Sequence, residues 1–145
     1  MSTGQVFLTL ASLVLLGYIV LNIHRMYAGS VESTVDMQMT SDAVNFGRDL
    51  SEEIQSYAYK YSQLDADFAD LDDPTDPNAR RSDTSQVGQI FHATVNLLDK
   101  ADLLPDMAGN QPGKIAEIRV YEEVDDTLQF KAELVTSVID MNSGS

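Results

Sequence analysis

The chain has 145 residues, with 9 Lys plus Arg against 23 Asp plus Glu, a formal charge of −14, and neither Cys nor Trp. That length suits one domain with a modest core rather than two independent ones. The charge opposes nucleic-acid binding, which needs a basic surface, and the lack of Cys excludes disulfides, thiolate metal sites and thiol catalysis.

The charge is segregated. No Asp, Glu, Lys or Arg precedes Arg25, and all 32 charged side chains fall between Arg25 and Asp140. The uncharged head includes an apolar run from Val6 to Ile23, which as a helix would be about 27 Å long, close to the hydrocarbon thickness of a bilayer. Thr9 and Ser12 can bond back to carbonyls of their own helix, so lipid or a packed helix bundle tolerates them. Tyr18, Asn22, His24, Arg25 and Tyr27 give the run an interface-like edge. A secretory signal would carry a basic n-region, and Met1-Ser-Thr-Gly4 has no Lys or Arg, so the segment is expected to be retained. A buried core helix would need a larger domain around it than the remaining residues build. Residues 1–28 therefore read as a membrane or assembly helix.

From Val31 the apolar residues continue at Val35, Met39, Ala43, Phe46, Leu50, Ile54, Tyr57, Tyr61 and Leu64, spaced three or four apart in one helical stripe. No Pro precedes Pro74, so the expectation is one helix from about Thr3 to Phe68, or a second helix capped by Ser30 after a break at Ala28-Gly29. Gly29 and Gly47 weaken it by about 1 kcal/mol each against Ala. Its first third is apolar all round and the remainder along one stripe. The stripe lacks a strict seven-residue repeat, so a helix laid on its own domain fits better than a coiled coil.

Residues 69–86, rich in Asp with two Pro, read as a solvated loop. A calcium site carried by Asp70, Asp72, Asp73 and Asp76 is the minority reading, because the spacing matches no EF-hand loop and runs on into Arg80-Arg81. Val87–Leu98 suits either a strand or a short buried helix. Met107–Gly113 reads as a loop. Two alternating runs, Ala116–Val120 and Leu128–Leu134, flank a hairpin turn at Glu123–Thr127. Keeping both apolar sets, Phe130 included, on one face requires opposed residue numbers with an even sum. A sum of 252 (Arg119 with Glu133) or 248 (Glu117 with Lys131) pairs opposite charges and is preferred to 250, which pairs like charges. That apolar face would cover the helix stripe, and Met141–Ser145 should fray. The expected fold is α+β: a long N-terminal α-helix packed on a small antiparallel β-sheet with a C-terminal hairpin. Residues 29–145 form the acidic domain, with helix 30–68, loop 69–86 and sheet 87–141.

Nothing in the sequence asks for catalysis, a cofactor, a metal or a small-molecule substrate. His24 reads as an interfacial side chain and His92 as a sheet-face histidine without a partner at metal-ligand spacing. Adjacent acids such as Glu52-Glu53 point to different faces. Asp outnumbers Glu 16 to 7 and Lys contributes only four charges, a bias that suits a surface kept hydrated in concentrated salt.

An apolar N-terminal helix continuing as an amphipathic helix on a small antiparallel sheet resembles the type IV pilins and pseudopilins. Gly4 followed by Gln5-Val-Phe-Leu-Thr9 looks like the site at which a prepilin leader is cut. The resemblance implies a structural subunit that polymerises with copies of itself, without nucleic acid. Its assembly core would be Val6, Phe7, Leu8, Leu10, Leu13, Val14, Leu15, Leu16, Ile19, Val20 and Leu21. It also implies residence in the cytoplasmic membrane before assembly and an extracellular filament afterwards. The chain departs from the family pattern in having Thr9 where most members have Glu, no basic residue before Gly4, and no Pro in the helix. A single-pass membrane-anchored interaction protein of a secretion or envelope complex is the alternative. An accessory subunit of a membrane enzyme is the least favoured reading.

Overall fold

The computed structural model describes residues 2–103 and 111–142. In chain order it contains helix α1 (Thr3–Ser56), a 3-10 turn (Tyr57–Tyr59), helix α2 (Tyr61–Phe68), strands β1 (Arg81–Thr84) and β2 (Ile90–Asp99), the short helix α3 (Lys100–Leu103), and strands β3 (Gly113–Val124) and β4 (Thr127–Ile139). The fold is α+β, as the two periodicities in the sequence require. The chain divides into two compact units, Met1–Met39 and Thr40–Ser145.

The first unit is the N-terminal part of α1. None of its described residues is buried, and the buried residues of α1 begin at Ala43. No break occurs at Ala28-Gly29, because the helix runs through it.

In the second unit the stripe meets the sheet. Ala43, Leu50, Ile54, Leu64 and Phe68 form a core with Phe91, Ala93 and Val95 of β2, Ala116, Ile118 and Val120 of β3, and Val138 of β4. Gly47 lies on the same stripe for a steric reason: a Cβ there would collide with the Leu134 side chain and stand 3.2 Å from Val120 Cγ2. The glycine lets the helix backbone approach the sheet closely, which offsets its poor helix propensity. Gln55 Nε2 donates to Thr136 Oγ1 at 2.8 Å, fastening α1 to β4.

The helix does not run unbroken to Phe68. It tightens into the 3-10 turn, and Lys60 leaves helical geometry at φ −126°, ψ 38° before α2 begins. Beyond this break Phe68 meets the Tyr57 ring edge-on at 5.3 Å, and Tyr57 donates its hydroxyl hydrogen to Asp67 at 2.7 Å. The Arg81 guanidinium lies 5.6 Å above the Phe68 ring and 3.7 Å from Glu53. Lys114 on β3 holds α2 in place through Asp65 at 2.6 Å and also approaches Asp99 at 3.6 Å.

The sheet is an antiparallel meander in the order β1-β2-β3-β4. β1 lies inside the stretch read as loop 69–86, and Ile90–Asp99 resolves the strand-or-helix ambiguity in favour of a strand. Gly88, at φ 86°, supplies the left-handed residue of the β1–β2 turn. Arg119 faces Glu133, so of the two preferred registers 252 is the one formed, with Arg119 Nε 2.9 Å from the carboxylate. That register does not reach the turn. Val124 pairs with Thr127 across the two-residue turn Asp125-Asp126, both at positive φ (49° and 59°), the geometry a tight hairpin needs. A β-bulge at Val120/Tyr121 absorbs the mismatch, so Tyr121 faces Phe130. Phe130, expected on the core face, is consequently 57% exposed and meets the Tyr121 ring edge-on at 6.0 Å. Lys131 instead pairs with the buried Glu122 at 2.8 Å.

Of the expected loop at Met107–Gly113, residues 107–110 lie outside the described residues, and Gly113 opens β3. Of the expected fraying end, residues 143–145 likewise lie outside. Met141 and Asn142 are fastened: Met141 N donates to Ala58 O at 3.0 Å and Asn142 Nδ2 to Tyr59 O at 2.7 Å.

Candidate functional site

The apolar segment is an exposed helical surface. The eleven residues expected to form the assembly core, between Val6 and Leu21, are each 45% to 76% exposed. No charged side chain interrupts them, and the two hydroxyls among them are turned inward on the helix: Thr9 Oγ1 donates to Gln5 O at 2.7 Å and Ser12 Oγ to Leu8 O at 2.9 Å. Two shallow apolar grooves run along the helix. One is bordered by Val6, Leu10, Leu13 and Val14, the other by Leu16, Gly17, Val20 and His24. Gly17 has nothing within 4 Å of where a Cβ would stand, so the low point of the second groove is open. This helix is long and apolar enough to cross a membrane. Gly4 and Gln5, the residues of the expected leader cut, lie exposed in its first turn, with Gln5 N donating to Ser2 O at 3.0 Å.

The four Asp residues of the calcium reading behave differently from one another. Asp73 is engaged locally: the Thr75 hydroxyl (2.7 Å) and backbone N–H (2.8 Å) both donate to its carboxylate and hold it below the usual carboxylate range. Asp76 accepts from Asn78 N at 2.8 Å in the same kind of Asx turn. Asp70 and Asp72 are exposed. Among the described residues no group of three or more His, Asp or Glu is disposed to hold a metal ion.

The sheet brings together three residues that the sequence kept apart. Ser82 on β1 stands opposite His92 on β2, which stands opposite Tyr121 on β3 beside Glu123. Ser82 Oγ lies 2.7 Å from His92 Nδ1, and His92 Nε2 lies 2.5 Å from Glu123 Oε2. His92 is on the face away from α1 yet only 2% exposed, whereas Ser82 is exposed. On the Glu123 side a cleft of about 380 Å³ opens between Thr75 and Arg80 of the Asp-rich loop and Glu123, Asp126, Thr127 and Leu128 of the hairpin. Arg80 is held there by donating from Nη1 to Pro74 O at 2.7 Å. Sequence reading missed this constellation because Ser82 belongs to an unrecognised strand, and a hydroxyl ten residues before a histidine carries no signal by itself.

Comparison with protein-family models, with curated proteins and with solved structures gives no match. The functional reading therefore rests on the residues and their geometry.

Proposed function

We propose that the protein is a structural subunit of an extracellular type IV pilus-like filament. Its helix from Val6 to Leu21 forms the filament core against copies of itself, and the acidic α+β unit coats the outside. The observation that carries this reading is the uninterrupted exposure of those eleven apolar side chains on a helix with no charge before Arg25. Full burial of such a side chain is worth about 1.5–3 kcal/mol, and at 45% to 76% exposure each leaves roughly half or more of that ungained, so the segment needs either lipid or neighbours. Before assembly the cytoplasmic membrane covers it. In the filament, close packing around Gly17, Ala11 and Ser12 replaces lipid contacts, as small residues permit in helix–helix association. Contacts that do not close on themselves extend into a fibre rather than a ring. The residual charge of −14, all of it between Arg25 and Asp140, then lies on the coat and keeps fibres soluble and apart.

The membrane-spanning length of the same helix favours a second reading, a single-pass anchored protein of a secretion or envelope complex. Shearing cells and blotting the released and detergent-soluble fractions separates the two. The filament reading expects the chain in the sheared fraction and its loss from that fraction in Leu13→Asp, while the detergent fraction keeps wild-type protein in transit. Retention of all the protein in the detergent-soluble membrane fraction would leave the single-pass reading standing.

A further inference from the structure

We propose that Ser82 is an activated nucleophile with His92 as its general base, taking an acyl group from a small carboxylic ester and passing it to water. The order hydroxyl, imidazole, carboxylate is the one that nucleophilic serine chemistry needs, and here it is built across three adjacent strands. The proton positions follow from the partners. A carboxylate only accepts, so the nitrogen facing Glu123, Nε2, carries the hydrogen. In the neutral imidazole Nδ1 is then the free acceptor, and it is the atom 2.7 Å from Ser82 Oγ. Glu123 fixes both the tautomer and the ring and faces the cation that forms when Nδ1 takes a proton. It acts through His92 and is a positioning residue.

A merely structural strap between β1, β2 and β3 would account for the two hydrogen bonds. It would not account for the contrast in burial: His92 is 2% exposed while Ser82 is an exposed residue. Burial keeps water from competing for Nδ1, and exposure lets an ester reach Oγ. The cleft supplies room nearby, because it shares Glu123 with the hydrogen-bonded set. At about 380 Å³ it has space for a small acyl group.

The reaction balances without any further component. Ser82 Oγ bonds to the acyl carbon as its proton moves to His92 Nδ1. The ester C–O bond breaks and the departing oxygen takes that proton. Water then attacks the acyl-serine and gives a proton to Nδ1, the bond from carbon to Oγ breaks, and the proton returns to Oγ. Ester and water become acid and alcohol.

The test uses the full chain in detergent with p-nitrophenyl acetate, following nitrophenolate release and mapping the acetyl group by mass spectrometry. The expected result is acetyl on Ser82, with release slowed by about 100-fold or more in Ser82→Ala and in His92→Gly, the scale of a general base. Added imidazole should restore acetylation of Ser82 in His92→Gly, read by mass spectrometry and above the level imidazole alone produces on Ser137, which the loss of a structural strap would not allow. Acetylation of Ser82 no faster than of the exposed Ser137 would overturn the proposal, as would a release rate unchanged in Ser82→Ala. Ser82 is exposed, so that variant keeps the comparison valid even where His92→Gly fails to fold.

Discussion

Truncating Phe130 separates the bulged hairpin from the regular one that its alternation suggests. If the 252 register ran on to the turn, Phe130 would oppose Glu122 and share the core face with Val120. Its removal would then resemble that of Phe91, which is 2% exposed, and cost about 3–5 kcal/mol as a buried aromatic. With the bulge, Phe130 is 57% exposed and its main partner is the Tyr121 ring at 6.0 Å. An edge-on pair of that kind contributes about 0.5–1.5 kcal/mol. Phe130→Ala should therefore cost about 1 kcal/mol and Phe91→Ala at least about 3 kcal/mol. The assay is urea unfolding, followed by circular dichroism, of a chain beginning at Ser30. That chain keeps the whole buried core, which extends from Ala43 to Val138, and it should be a soluble monomer. A loss above about 3 kcal/mol for Phe130→Ala would refute the register and the bulge with it.

Three further outcomes are expected. Gly47→Val should destabilise the same chain by about 1–3 kcal/mol through overpacking against Leu134 and Val120, while Asn45→Val on the exposed side of α1 changes its unfolding midpoint far less. Lys131→Ala should cost about 3 kcal/mol by leaving the buried Glu122 carboxylate without its partner, and Glu122→Gln in the same chain should recover most of that in denaturant titration. The Asp65 hydrogen bond, with help from Asp99, raises the Lys114 pKa above the ordinary lysine value. Its contribution is therefore complete below about pH 10 and is lost as pH rises through the folded value. The gap in thermal midpoint between wild type and Lys114→Met should be constant at neutral pH and close on strong alkalinisation; a gap that widens would reverse the sign of the linkage.

How far the fold was legible depends on how local each signal is. The stripe from Ala43 to Leu64 and the alternation in β3 and β4 are written in neighbouring residues, so helix and hairpin could be read directly and the register narrowed to two, of which Arg119–Glu133 is the one formed. β1 could not, because Arg81-Ser-Asp-Thr84 is four polar, exposed residues whose strand character comes from pairing with β2. The bulge was hidden because the alternation continues through Phe130-Lys131-Ala132. The tight Asp125-Asp126 turn gives an odd register sum of 251, which no even-sum pairing further along the hairpin can match without an extra residue. The end of α1 at Ser56 carries neither Gly nor Pro; the packing of Phe68 against Tyr57 and Arg81 accompanies it. The exposed apolar helix was fully legible, since segregation of charge needs no folding to be seen. The Ser82-His92-Glu123 relay was illegible for the opposite reason: it spans 41 positions in sequence and exists only through the pairing of three strands.

The central claim is that residues 6–21 are covered by copies of themselves. Electron cryo-microscopy of surface material sheared from cells tests it most directly. The account predicts helical fibres with the uncharged helix at the axis, contacted by the same segment of neighbouring subunits, and with strands β1–β4 on the outside. Fibres with the sheet at the axis would contradict it, as would the absence of fibres while the whole protein stays in the membrane.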